Sequence, residues 1–136
     1  MTEAAIIQQL TDTLPDVQVV PGDGAFFLFV GPERMFPFAT IVTSDAHDQA
    51  SDLDREGVFR LNVGVSRETF RRLFPEEATW DFTARDRLMP HPVYGGMHWV
   101  CVLSPSAATF ETTMRPLLAE AYELAAGRQA RHAAAE

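Results

Sequence analysis

The sequence predicts an α+β domain, a single antiparallel sheet with helices packed mainly on one face. Three observations predict it. Apolar residues recur at helical spacing near both ends and in one short central segment, strand-like runs fill the stretches between, and turn-forming clusters separate those runs. At 136 residues with 46% apolar side chains, the chain suits one domain with a substantial core.

Thr2 caps "EAAIIQQLTDTL", whose Ile6, Ile7, Leu10 and Leu14 form one apolar stripe, and Pro15 ends the helix. "VQVV", the turn "PGDG" and "AFFLFV" read as a β-hairpin. The second of these strands is apolar on both faces, which predicts an inner place in the sheet with cover on each side. "GPERMFP" is a loop, and "FATIVTS" a third strand in which Ala39, Ile41 and Thr43 alternate with Phe38, Thr40 and Val42.

An acidic, polar segment, "SDAHDQASDLDREG", leads into "VFRLNVGV". Read with period two, Phe59, Leu61, Val63 and Val65 face one way, and Val58, Arg60, Asn62 and Gly64 the other. Ser66 caps a short helix, "RETFRRLF", with Phe70, Leu73 and Phe74 inward. Residues 75–96 lack periodicity, and a connection of that length is usually functional or braced by its own side chains. "MHWVCVL" is the next strand. Ser104 with Pro105 starts a last helix, in which Phe110, Met114, Leu117, Leu118, Ala121, Leu124 and Ala125 keep helical spacing up to a stop at Gly127. Pro116 should kink or split it near Thr112. The domain is therefore expected over residues 1–127, with 128–136 a frayed tail.

Composition excludes several classes of function. No apolar stretch approaches the ~20 residues that cross a bilayer, and Glu3, Gln8, Gln9 and Asp12 break any secretory signal, so a cytoplasmic protein without membrane contact is expected. The single cysteine, Cys101, rules out an intramolecular disulfide and a cysteine-rich zinc module, and its apolar neighbours predict a buried structural thiol. All 11 basic residues are arginine, which removes Schiff-base and P-loop lysine chemistry. A formal net charge of −8 and a pI near 4.9 oppose nucleic-acid binding.

Asp45, His47, Asp48, Asp52 and Asp54 offer metal-ligand chemistry, but their spacing fits neither an EF-hand nor a zinc signature; no metal and no cofactor are expected. Arg67, Arg71 and Arg72 with Arg85 and Arg87 are interleaved with Glu68, Glu76, Glu77, Asp81 and Asp86, the pattern of a solvated, ion-paired surface. The sharper question is the polar strand face. A covered Arg60 needs a partner, and Asp52 and Asp54 are the nearest candidates for a clamp fastening the acidic loop across the sheet, with Asn62 satisfying loop backbone. Left open, Arg60 and Asn62 would floor a ligand pocket rimmed by His91, Tyr94 and Trp99; His91 stands between two prolines in "MPHPVYGG".

The blocks "FPFATIVTSD", "SDLDREGVFRLNVGVSRETFRRLF" and "PHPVYGGMHWVCVLSP" resemble an uncharacterised bacterial family of single-domain proteins. From Leu61 through the tryptophan strand to "LLAEAYELA" the chain is also similar, more distantly, to the YjbR or MmcQ-like proteins. That resemblance implies an α+β fold shared with secretion chaperones, often dimeric there, and a DNA-binding label that the acidic balance here opposes. It implies no established activity.

The expected function is thus a small non-catalytic module that binds a small molecule or a protein partner, with a C2 homodimer allowed by its apolar surface. The alternatives are a hydrolase, in which Arg60 holds an anionic substrate group with Asn62 and Tyr94 beside it and His91 moves the proton, and a DNA-binding protein using the arginine helix.

Overall fold

Period-two alternation sets the whole architecture, because it gives one sheet two chemically different faces. In the computed structural model, which describes residues 1–135 apart from Glu33 and Met35, the strands are β1 (Val17–Gly22), β2 (Ala25–Val30), β3 (Ala39–Val42), β4 (Arg60–Gly64), β5 (Met89–Pro90) and β6 (Trp99–Leu103). They form one six-stranded sheet in the order β1-β2-β3-β4-β6-β5, each neighbouring pair antiparallel. The helices are α1 (Glu3–Thr13), α2 (Arg67–Leu73), α3 (Ala107–Thr109) and α4 (Arg115–Ala135), the last two joined by a π turn over Phe110–Met114.

On one face, Leu28, Ile41, Leu61, Val63, Val100 and Val102 pack against Ile6 and Leu10 of α1 and against Phe110, Met114, Leu118 and Ala121 of the C-terminal helix. Phe70, Leu73 and Phe74 close one margin of this core. The other face, with Ala25, Val42, Met89, Cys101 and Leu103, has no α-helix over it among the described residues. Two irregular segments cover it instead, through Leu53, Val58, Trp80 and Phe82.

Capping residues place the first two helices as read: the Thr2 hydroxyl accepts from the Ala5 N–H and the Ser66 hydroxyl from the Thr69 N–H. The hairpin turn is tighter than "PGDG". Pro21 and Gly22 belong to β1 and pair with Phe26 and Ala25, leaving Asp23 and Gly24 as the turn, with Gly24 at φ 67°. Pro21 is tolerated because β1 lies at the sheet edge. The loop expected over "GPERMFP" falls partly on Glu33 and Met35, outside the described residues.

Four further expectations are corrected. The connection 75–96 contains β5, too short to show alternation, and Met97 and His98 lie outside the tryptophan strand: Met97 ends a 3-10 turn and His98 is left-handed at φ 68°. The last helix is capped by Ser106, because Ser104, left-handed at φ 41°, is still tied to the sheet, donating its N–H to the Phe59 carbonyl. That helix also runs through Gly127 to Ala135, the alanine-rich tail offsetting a glycine that costs only about 1 kcal/mol inside a helix.

Pro116 acts where expected. It cannot donate to Thr112, and the helix answers with the π turn, in which the Arg115 N–H reaches the Phe110 carbonyl. This turn carries the fully buried Phe110 and Met114. Phe110→Ala should lower stability by about 3–5 kcal/mol in urea denaturation; a loss under about 1 kcal/mol would mean that the π turn can collapse onto the space.

Candidate functional site

The acidic segment forms its own scaffold before it meets the sheet. The Asp45 carboxylate accepts from the Leu53 N–H (2.8 Å), that of Asp54 from the Asp45 N–H (3.0 Å) and that of Asp48 from the Ala50 N–H (3.2 Å). Leu53 plugs the loop into the lower core, and the Arg55 guanidinium donates to the carbonyls of Ser51 and Thr83, tying the two covering segments together.

This scaffold holds Asp48 and Ser51 over Arg60, which is 1% exposed. Arg60 Nη1 and Nη2 donate to the two Asp48 carboxylate oxygens at 3.0 and 2.7 Å, Nη1 also donates to Ser51 Oγ (3.0 Å), and Nε donates to Asn62 Oδ1 (2.9 Å). Asn62 in turn donates to Thr40 Oγ1 at 2.9 Å. Strand register explains this polar row, since Asn62 stands opposite Thr40 on β3 and Cys101 on β6.

At the far end, Arg60 Nη2 approaches His91 Nε2 at 3.4 Å. His91 Nδ1 accepts from the backbone N–H groups of Val93 (3.0 Å) and Tyr94 (2.9 Å), in a turn stiffened by Pro90 and Pro92. The Tyr94 ring lies 5.1 Å from the imidazole. Trp99 can lie flat on the sheet because its cross-strand partner is Gly64, where a Cβ would stand 3.0 Å from the indole.

These groups floor a cleft of about 290 Å³ on the helix-free face, walled by Phe27, Pro37, Val42, Val93, Met97 and Trp99. Its mouth is apolar and open, with Tyr94 52% and Met97 68% exposed. His47 sits there with Nε2 2.7 Å from the Asp23 carbonyl, to which it donates.

Local electrostatics follow from burial and from Arg60. The guanidinium hydrogen bond holds the Asp48 carboxyl below its ordinary 3.8 against the opposing effect of burial. Burial, reinforced by Arg60 and opposed by Asp48, lowers His91 from 6.5 to about 4, so the ring is neutral near pH 7. Burial pushes the Cys101 thiol up to about 12.

The family comparison accords with a single folded unit, its model matching residues 1–134. The chain belongs to DUF6194, a family of unknown function. No curated protein and no solved structure matches it. The likeness of this DUF6194 chain to the YjbR or MmcQ-like proteins therefore rests on its sequence blocks alone.

The structure brings Arg60, Asn62, His91, Tyr94 and Trp99 to one cleft. It reassigns the clamp. Arg60 pairs with Asp48, whereas Asp52 is exposed beside Arg55 (3.6 Å) and Asp54 holds the Asp45 N–H. Asn62 serves Arg60 and Thr40 instead of loop backbone. The turns that choose among these aspartates leave no periodic trace, but the alternation that put Thr40 and Val42 on one side of β3 was available to find both. Arg67, Arg71, Arg72, Arg85 and Arg87 are exposed, with Arg87 4.9 Å from the Trp80 ring centroid. Among the described residues no three His, Cys, Asp or Glu side chains cluster to hold a metal, and no helix is long and apolar enough to cross a membrane.

Arg60→Leu strands Asp48, Ser51 and Asn62, and should lower stability by about 3–5 kcal/mol, whereas adding Asp48→Leu should restore most of it, as read by urea melts. A pH series checks the histidine independently. The unfolded ring takes a proton near pH 6.5 and the folded ring only near 4, so stability should fall as pH drops through that window, by up to roughly 3 kcal/mol. The Asp48 contribution is present above 3.8 and lost below it. His91→Asn should flatten the slope between pH 6.5 and 4; an unchanged slope would remove this origin for it.

Proposed function

We propose that this DUF6194 protein is a non-catalytic module that binds a small, mostly apolar molecule in the cleft over Arg60, Asn62 and His91. One observation carries the reading: a buried polar network lies at the floor of an open, apolar-walled cleft. Such a network is weak as a stabiliser, since a buried ion pair can often be replaced by packed apolar residues without loss, and its place under a cleft fits recognition. Binding sites of this kind are concave and mostly apolar with a few fixed polar groups, and typically enclose ~300–1,000 Å³; the cleft, at about 290 Å³, falls just under that range.

Hydrolysis is less well supported. Asp48 neutralises Arg60, leaving little charge for an anionic substrate. A histidine lowered to about 4, with Nδ1 held by two backbone donors, is a poor base at neutral pH. A thiol at about 12 is no nucleophile. DNA binding through the arginine helix, which the distant resemblance would imply, lacks support from a chain of net charge −8.

A fragment screen by ¹⁵N–¹H NMR tests the reading. Hits should shift the amides of Phe27, Val93, Tyr94, Met97 and Trp99 together. Tyr94→Ala and Met97→Ala, both at exposed positions, should leave the melting temperature nearly unchanged and weaken those hits by roughly tenfold. Hits that map elsewhere, or affinities indifferent to both truncations, would refute the cleft as the site.

A further inference from the structure

The hydrogen-bond pattern around His91 specifies more than the presence of a site. Nδ1 accepts two backbone N–H bonds, at 3.0 and 2.9 Å, so it carries no proton. A neutral imidazole then bears its proton on Nε2. Within hydrogen-bond distance of Nε2 stands Arg60 Nη2 at 3.4 Å, itself always a donor. Among the described residues, two N–H groups therefore meet without an acceptor of their own, on a histidine only 5% exposed, at the edge of the cleft. The other N–H groups of Arg60 are taken by Asp48, Ser51 and Asn62.

Resting on the cleft being a binding site, we infer that its ligand is an uncharged ring compound bearing one carbonyl-type oxygen, which the Nε2–H of His91 and the free Nη2–H of Arg60 hold together. Charge decides against a carboxylate. Arg60 is the only permanent cation among the described residues lining the cleft, and Asp48 neutralises it. A buried ligand carboxylate would add an unpaired negative charge beside Asp48, and His47 at the mouth already gives its Nε2–H to the Asp23 carbonyl. The walls favour a flat apolar body, with Trp99 laid against Gly64, Phe27 also in the lining and Tyr94 at the mouth. The low proton affinity of His91 keeps the ring a neutral donor at physiological pH.

Three matched probes, benzamide, benzoate and toluene, test this by NMR titration of the ¹⁵N-labelled protein with the histidine ring nitrogens observed. The ring proton should be found on Nε2 in the free protein. Benzamide should shift that nitrogen and bind roughly tenfold more tightly than either benzoate or toluene. His91→Asn keeps an acceptor at the δ position for Val93 and Tyr94 while removing the ε donor; with only the Arg60 N–H left, it should weaken benzamide severalfold toward the affinity of toluene and leave toluene unchanged. A proton on Nδ1, benzoate binding as tightly as benzamide, or benzamide indifferent to His91→Asn would overturn the inference while leaving the cleft as a site. If none of the three shifts any cleft amide, the binding reading falls, and this inference with it. The tautomer and the probe ranking are read on the unmutated protein, so they decide the matter even if His91→Asn fails to fold.

Discussion

Arg60 is the constraint on which the rest of the helix-free face depends. A guanidinium cannot shed its proton in a protein, so a buried one has to be met by acceptors on nearly every side. Here those acceptors come from Asn62 on the same strand and from Asp48 and Ser51 in the preceding loop. Asp48 is useful only if it approaches end-on with both oxygens, which fixes the path of the loop to within a hydrogen-bond length. The Asp45 and Asp54 turns and the Leu53 plug can be understood as the means of holding that path.

The two faces of the sheet are covered differently for the same reason. Where Leu61 and Val63 point, an apolar helix stripe suffices, and α1 and the C-terminal helix supply it. Where Arg60 and Asn62 point, the cover has to bring carboxylate, hydroxyl and backbone groups from several directions. A helix presents its backbone groups only to itself, whereas a loop of Asx turns can aim both backbone and short side chains. The irregularity of the loops over that face is thus a consequence of what lies under them. It also leaves packing incomplete beyond His91, where the cleft opens.

Legibility in the sequence follows the range of the interactions concerned. Strand faces, the caps at Thr2 and Ser66 and the break before Pro116 are local, and each could be read from its residues. The polar stripe at Arg60 and Asn62 was legible through alternation, as was its need for a carboxylate. Which carboxylate was not. Asp48, Asp52 and Asp54 are equivalent by composition, and only the turns between them put Asp48 over the sheet. β5 was missed because two residues cannot show alternation, and the end at Gly127 was misplaced because a glycine without a left-handed conformation is only a weak interruption.

Under the proposed binding role, the ion pair also governs what the cleft would discriminate. With Asp48 and Arg60 cancelling, the floor carries no net charge, and long-range attraction will not draw ions out of solvent toward it. Selectivity then falls to shape and to the two N–H groups left over where the network ends. Such an arrangement rejects a ligand lacking an acceptor, because closing the cleft over an unmatched donor forfeits its hydration without return. It also disfavours one bringing a full charge, because no counter-charge remains to receive it. In that proposed role Arg60 would shape recognition mainly by being neutralised: it orders the floor, excludes a second cation and leaves a single polar contact point beside His91.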